Sequence, residues 1–186
     1  MKALLDACVI YPTVMRQMLL GVAEAGLFTP LWSARIVEEW ARAAARGGSQ
    51  HEAQARAEAS MTAARFPRAE VRVPEGSERR LWLPDPSDIH VLAAAVAGHA
   101  DVIVTMNAKD FPQQILAEEG LSRADPDGFL LGFHAAHPDA VDQVGAEVLA
   151  EARRLSGEDW TMRGLMKKAR LPRLGKALAQ AGVGDT

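Results

Sequence analysis

Carboxylates recur in this sequence where apolar segments end. Asp6 sits inside "LLDACVIYP", directly after Leu4 and Leu5. Aspartate is depleted in strands and almost never fully buried unless paired. This one therefore caps the next helix or is held at a strand end for chemistry. Asp85 and Asp88 fall in "PDPSDIHVLAAAVA", and Asp110 closes "VTMNAKDF". Three separate segments thus bring carboxylates to the edges of candidate parallel strands, where the loops of an open α/β sheet gather ligands. Clustered carboxylates repel unless a cation lies among them, and hard oxygen donors select Mg²⁺ or Mn²⁺.

Each acid also has a structural reading. Asp6 suits a turn, and Asp110 suits a solvated helix face. Asp85-Pro86-Ser87-Asp88 is a good helix start, with Asp85 as N-cap, Pro86 in the first position and Asp88 near the positive end of the dipole. The adjacent pair Glu38-Glu39 is resolved by helix geometry. At about 100° per residue, Ile36, Val37, Trp40 and Ala44 form an apolar stripe. Glu38 then projects away from the stripe into solvent, and Glu39 falls at its shoulder, where a carboxylate can lean into a cleft. Cys8 lies in an apolar turn and reads as packing. His90 and His99, at opposite ends of one helix, have no ligand-spaced partner.

The elements that must position these acids can be read from periodicity. A strand is predicted over Lys2–Leu5, then a turn, then a helix from Pro12 to Ala25 ended by Gly26. Leu27–Trp32 is extended, and Ser33 caps a helix over Ala34–Arg46. Gly47-Gly48 ends that helix, and Ser49-Gln50-His51-Glu52 has capping-box spacing before an Ala-rich helix to Arg65. Val71–Val73 is predicted as a second core strand. A helix over Pro86–Gly98 precedes the clearest strand, Val102–Thr105, after which Asn107 caps a short helix. Alternating strand and helix imply a parallel sheet covered by helices. Beyond Asp125 strand signals vanish, and three or four helices follow.

The bulk composition narrows the function classes. With 186 residues, 48% of them hydrophobic and 24% charged, the chain suits one soluble domain with a small appendage. No apolar run approaches the roughly 18 residues of a membrane span, and the first residues do not suit a signal peptide. One cysteine excludes an internal disulfide and a multi-cysteine zinc site, which makes a reduced cytoplasmic setting the expectation. Net charge is −3, yet from Glu151 onward eight Lys/Arg stand against four acids. An acidic body with a basic tail does not resemble a protein that simply coats nucleic acid. It fits an acidic metal centre beside a basic surface, or a solvated basic helix face.

Taken in order, "LLDACVIYP", "SARIVEEWARA" and "DPSDIHVLAAAVAGHADVIVTMNAKDFP" resemble the PIN domain, the metal-dependent nuclease fold found in VapC-type toxins. The resemblance covers about residues 1–120 and rests on an ordered acidic signature: an Asp ending strand one, a Glu on an early helix, an Asp opening a later helix and an Asp after "VT-x-N". It implies an α/β, PIN-like three-layer fold over residues 1–122, with a central parallel sheet flanked by helices, and a helical C-terminal extension over 123–186. It implies Asp6, Glu39, Asp88 and Asp110 as a catalytic quartet, with Asp6, Asp88 and Asp110 holding Mg²⁺ or Mn²⁺. Glu39 is then a ligand or a water-orienting base, and Thr105 and Asn107 shape the substrate edge. Asp85 is an extra acid or only a cap. Arg79, Arg80, Lys109 and the tail cluster Lys167/Lys168/Arg170 are either phosphate contacts or, more simply, general basic surface.

The implied activity is hydrolysis of RNA phosphodiester bonds by the toxin of a type II toxin–antitoxin pair. Its partners would be RNA, an antitoxin protein and a second copy of the chain, with no membrane. The alternative is a non-catalytic PIN-like module that docks a partner protein or RNA. A haloacid-dehalogenase-like phosphatase also opens with an Asp after strand one, but needs a second Asp two residues later. Cys8 stands there.

Overall fold

The computed structural model describes residues 1–184. The chain divides into two compact units, one built from residues 1–11 and 28–124, the other from residues 12–27 and from 125 onward.

The first unit carries the sheet. Its elements are β1 (Lys2–Leu5), α1 (Ala7–Ile10), β2 (Thr29–Leu31), α3 (Ala34–Ala45), α4 (Ser49–Arg65), α5 (Ile89–Ala97), β3 (Val102–Val104), α6 (Gln113–Glu118) and β4 (Ser122–Ala124), interleaved with those of the second unit. Two 3₁₀ turns, Ser77–Arg80 and Pro86–Asp88, lead into α5. The four strands are all parallel in the order β2-β1-β3-β4. The central strands are apolar and buried on both sides, as parallel sheets covered by helices require: Ala3, Leu4, Ile103 and Val104 are fully buried. Each buried aliphatic side chain contributes about 1.5–3 kcal/mol.

Register explains how two sequence-distant residues meet. Leu5 pairs with Val104, so Asp6 and Thr105 are the next residues beyond the carboxyl ends of neighbouring strands. The ladder runs one step further through the backbone: Asp6 N–H donates to Val104 O (3.1 Å) and Thr105 N–H to Ala124 O (3.1 Å).

Three local expectations are corrected. Val71–Val73 is not a sheet strand. A single parallel bridge joins Glu70 to Trp32, with Val71 N–H donating to Trp32 O (2.7 Å), and Pro74 follows without an N–H to extend pairing. Asn107 caps no helix: residues 108–110 form a turn, and α6 starts only at Gln113. The Ser49–Glu52 capping box does not form, because Gly48, at φ 109°, is the N-cap and no side chain caps α4. Glu52 pairs with Arg56 instead (2.8 Å). Ser33 does cap α3 as predicted, accepting from Ile36 N–H (3.3 Å). The sheet also has an unpredicted fourth strand, β4.

The second unit is helical: α2 (Thr13–Glu24), α7 (Pro126–Ala136), α8 (Pro138–Ser156), α9 (Met162–Lys168) and α10 (Pro172–Gln180). α2 packs on α7 and α8. Gly21 makes this close approach possible, since a Cβ there would lie 2.6 Å from Val144 Cγ1. Among the described residues no helix is long and apolar enough to cross a membrane.

Candidate active site

Asp6 is buried at the strand edge, 8% exposed. It is the N-cap residue of α1, yet its side chain makes no capping bond. Its Oδ2 instead accepts from the Thr105 hydroxyl (2.7 Å) and the Cys8 thiol (3.0 Å). Burial, then the Asp6 charge, pushes the Cys8 thiol up to about 12. The sulfur therefore stays protonated and donates, and it accepts in turn from Met106 N–H (3.3 Å). Thr105 Oγ1 also takes the Asn107 N–H (2.9 Å), and Asn107 Nδ2 donates to Asp88 Oδ2 (3.2 Å). The three residues after β3 thus tie Asp6 to Asp88 through hydrogen bonds.

The Asp85–Asp88 segment divides its labour. Asp85 Oδ1 caps the 3₁₀ turn, accepting from Ser87 N–H (2.9 Å) and Ser87 Oγ (2.7 Å), and these bonds hold its carboxyl below the ordinary range. The Asp88 side chain caps nothing. Asp110 is presented by the turn after Asn107, which Arg123 braces by donating to the Ala108 and Phe111 carbonyls. Phe111 is fully buried and anchors the turn from below. Asp85, Asp88 and Asp110 each offer a carboxylate oxygen, all within 4.8 Å of one another. Asp6 is not part of that closest trio.

Glu39 reaches the same region from α3. Its Oε1 lies 2.8 Å from His90 Nε2 and 3.6 Å from Arg35 Nε. Glu38 behaves as its helical position predicts, pairing outward with Arg42 (3.1 Å) and Arg56 (2.9 Å). Of the exposed cations, Arg80 is committed to Glu119 through two bonds of 2.7 and 3.0 Å. Lys168, in the helical unit, lies over the Trp160 ring at 4.6 Å.

Electrostatics show the strain of gathering these groups. Burial, then the charges of Asp6, Asp85 and Asp110, push the Asp88 carboxyl up to about 6, against a smaller opposing effect of Lys109. Burial raises Glu39 as well; Arg35 opposes it, and the charges of Asp6 and Asp88 add to it. The donor set is all oxygen, anionic and undercompensated by the chain's own cations. That set fits a hard divalent ion.

The raised Asp88 pKa predicts a pH-dependent stability. Between the ordinary value and about 6, the folded state binds more protons at Asp88 than the unfolded state, so its contribution falls as pH rises through this window. His90 works in the opposite direction, being pushed down to about 4 by burial and then by Arg35. Comparison with Asp88→Asn isolates the carboxylate. In EDTA the variant is expected to melt above the wild type at pH 7.5, with the gap narrowing by pH 5 and closing only near the ordinary carboxylate value. Adding Mg²⁺ is expected to raise the wild-type melting temperature more than the variant's. Thermal melts at both pH values check this.

Sequence comparison now bears on the arrangement. A family model described as PIN domain matches residues 2–109. The chain belongs to the PIN-domain family. The PIN match takes in Asp6, Glu39, Asp88, Thr105 and Asn107 and stops one residue before Asp110. A relative from Mycobacterium tuberculosis named "Putative ribonuclease VapC50" is 52% identical over 57 residues, which cover 31% of this chain and 34% of the relative. The match thus spans about a third of that relative's length. No solved structure matches the chain.

Around these acids, three side chains make contacts that the sequence alone does not reveal. Cys8, expected from the sequence to be packing, donates a hydrogen bond to Asp6 Oδ2. Arg123 braces the Asp110 turn from β4, a strand with no sequence signal. His90 touches Glu39, 51 positions away in sequence, which no local spacing could reveal.

Proposed function

We propose that this protein is a divalent-metal-dependent endoribonuclease that acts as the toxin of a type II toxin–antitoxin pair. The observation that carries the reading is the convergence of Asp6, Asp85, Asp88 and Asp110 on the carboxyl edge of the sheet in a PIN-domain chain, with Asp88 pushed up to about 6 by burial and then by its acidic neighbours. The relative's name supports RNA as substrate. In this reading the nuclease lies within residues 1–122, and the extension over 123–186 supplies no catalytic group.

Asp6, Asp88 and Asp110 would hold Mg²⁺ or Mn²⁺, with Asp85 close enough to contribute its second oxygen. A divalent cation there supplies Lewis acidity, which makes water a better nucleophile and offsets charge building on the phosphate. The chain's own groups do the rest. Thr105 and Cys8 hold Asp6 Oδ2, and Asn107 holds Asp88 Oδ2 while edging the substrate path. Glu39, held above the ordinary carboxylate range, accepts the proton of the attacking water. The water oxygen then bonds to phosphorus as the bond to the leaving ribose oxygen breaks, and that oxygen takes a proton from solvent.

The non-catalytic alternative needs these acids to be helix caps. Neither Asp6 nor Asp88 makes a side-chain capping bond, which favours the catalytic reading. The biological reading adds an antitoxin partner, a homodimer and a cytoplasmic setting. The test is direct. Purified protein is expected to cut RNA in Mg²⁺ or Mn²⁺, to lose that activity in EDTA, and to regain it when the cation is restored in excess. Cleavage that persists in EDTA, or none under either cation, overturns the proposal.

A further inference from the structure

His90 opens α5 two residues after Asp88, and it is 4% exposed. Its Nε2 lies 2.8 Å from Glu39 Oε1. Its Nδ1 is buried and has no hydrogen-bond partner. A neutral imidazole has one N–H and one lone pair. The approach of a carboxylate to Nε2 assigns the proton to that nitrogen and leaves the Nδ1 lone pair unmatched.

That arrangement is costly for folding. An unsatisfied buried acceptor is destabilising, and an apolar ring of similar size would fill the space without it. What the imidazole provides in return is a close polar contact, at 2.8 Å, from a stiff side chain. Arg35, which also pairs with Glu39, cannot serve that purpose. It is 53% exposed, sits 3.6 Å from Glu39, and is shared with Glu78 at 3.7 Å. His90 also lines a cleft of ≈ 440 Å³ together with Arg35, Arg72 and Glu78.

We propose that His90 is a positioning residue for Glu39, its buried Nε2–H fixing the carboxylate beside Asp6 and Asp88. The proposal rests on the reading of Glu39 as a working group in RNA hydrolysis. His90 touches neither substrate nor ion. It acts by removing the conformers in which Glu39 swings away from Asp6 and Asp88 into solvent.

Two variants and one spectrum test it. His90→Phe keeps the ring and removes the donor; His90→Gln restores an N–H at a similar reach. With Mg²⁺ and RNA, His90→Phe is expected to lower kcat by about ten- to hundredfold, the effect of losing a hydrogen bond to a charged group, with KM within about twofold. His90→Gln is expected to recover most of the loss, while both variants melt within a few degrees of wild type. In the metal-free protein, ¹⁵N NMR is expected to show His90 as the Nε2–H tautomer, and the preference is expected to relax in Glu39→Ala. A wild-type Nδ1–H tautomer, full kcat in His90→Phe, or equal losses in both variants tracking their melting temperatures overturns the proposal. If the wild type cuts no RNA with either cation, the nuclease reading fails, and the tautomer measurement still decides whether His90 holds Glu39.

Discussion

Asp6→Asn is expected to lower metal-dependent RNA cleavage by on the order of a thousandfold while leaving the fold in place. The size follows from the charge: stabilising a developing anion through a bound cation is worth several kcal/mol, and about 1.36 kcal/mol is a factor of ten. The intact fold follows from what Asp6 does not do. Its side chain caps no helix, and an amide oxygen can still accept from the Thr105 hydroxyl and the Cys8 thiol, which now meet at Asp6 Oδ2. Losing one charge also relieves the repulsion that raises Asp88 and Glu39. Cleavage assays in Mg²⁺ and in Mn²⁺, paired with a thermal melt in EDTA, check both halves. Full activity in the variant sinks the metal-centre reading, and a lower melting temperature makes Asp6 a structural residue.

Asp6 was legible because its signal is local. An acid directly after Leu4-Leu5 cannot continue a buried strand, and Val102–Val104 marks the neighbouring strand by the same apolar run. Strand register then places Thr105 beside it. Asp85 was legible as a cap because Pro86 and Ser87 follow it. The misses have one cause in common: each depends on what lies across space. Val71 and Val73 carry β-branched strand chemistry, but Pro74 and the limited reach of the edge leave them only the bridge through Glu70. β4 is three residues, Ser-Arg-Ala, half exposed at the other edge, so no apolar alternation announces it. The His90–Glu39 contact joins two helices far apart in sequence, and hydrophobic periodicity reports only that one face of each is buried. The packing of α2 on α7 and α8 turns on a close approach at Gly21, which a glycine inside a helical pattern hints at without naming its partner.

The same blindness hid the group with the largest expected effect on stability. Asp127 lies in α7 and is 5% exposed. α10 begins after Leu171, which offers no side-chain cap, and Pro172 in the first position has no N–H. The first free amides of the helix are therefore Arg173 and Leu174. Asp127 takes both, through Oδ2 at 3.0 Å and Oδ1 at 2.9 Å, and also accepts from Arg173 Nε (3.0 Å). One buried carboxylate thus caps a helix in a different part of the sequence. Asp127→Ala leaves two amides without partners, each worth about 1–3 kcal/mol when buried. Because Arg173 is 55% exposed and water can reach part of the gap, the expected cost is about 2–4 kcal/mol. At about 2–4 °C per kcal/mol for a chain of this size, that lowers the melting temperature by roughly 5–15 °C. Arg173→Ala is the control. It removes the guanidinium from Asp127 and from Asp125 (2.8 Å) but keeps the backbone amide, and the exposed pair with Asp125 is worth only about 0–1 kcal/mol. Urea titrations of both variants separate the two contributions. If Arg173→Ala costs as much as Asp127→Ala, the ion pair rather than the cap holds α10 to α7.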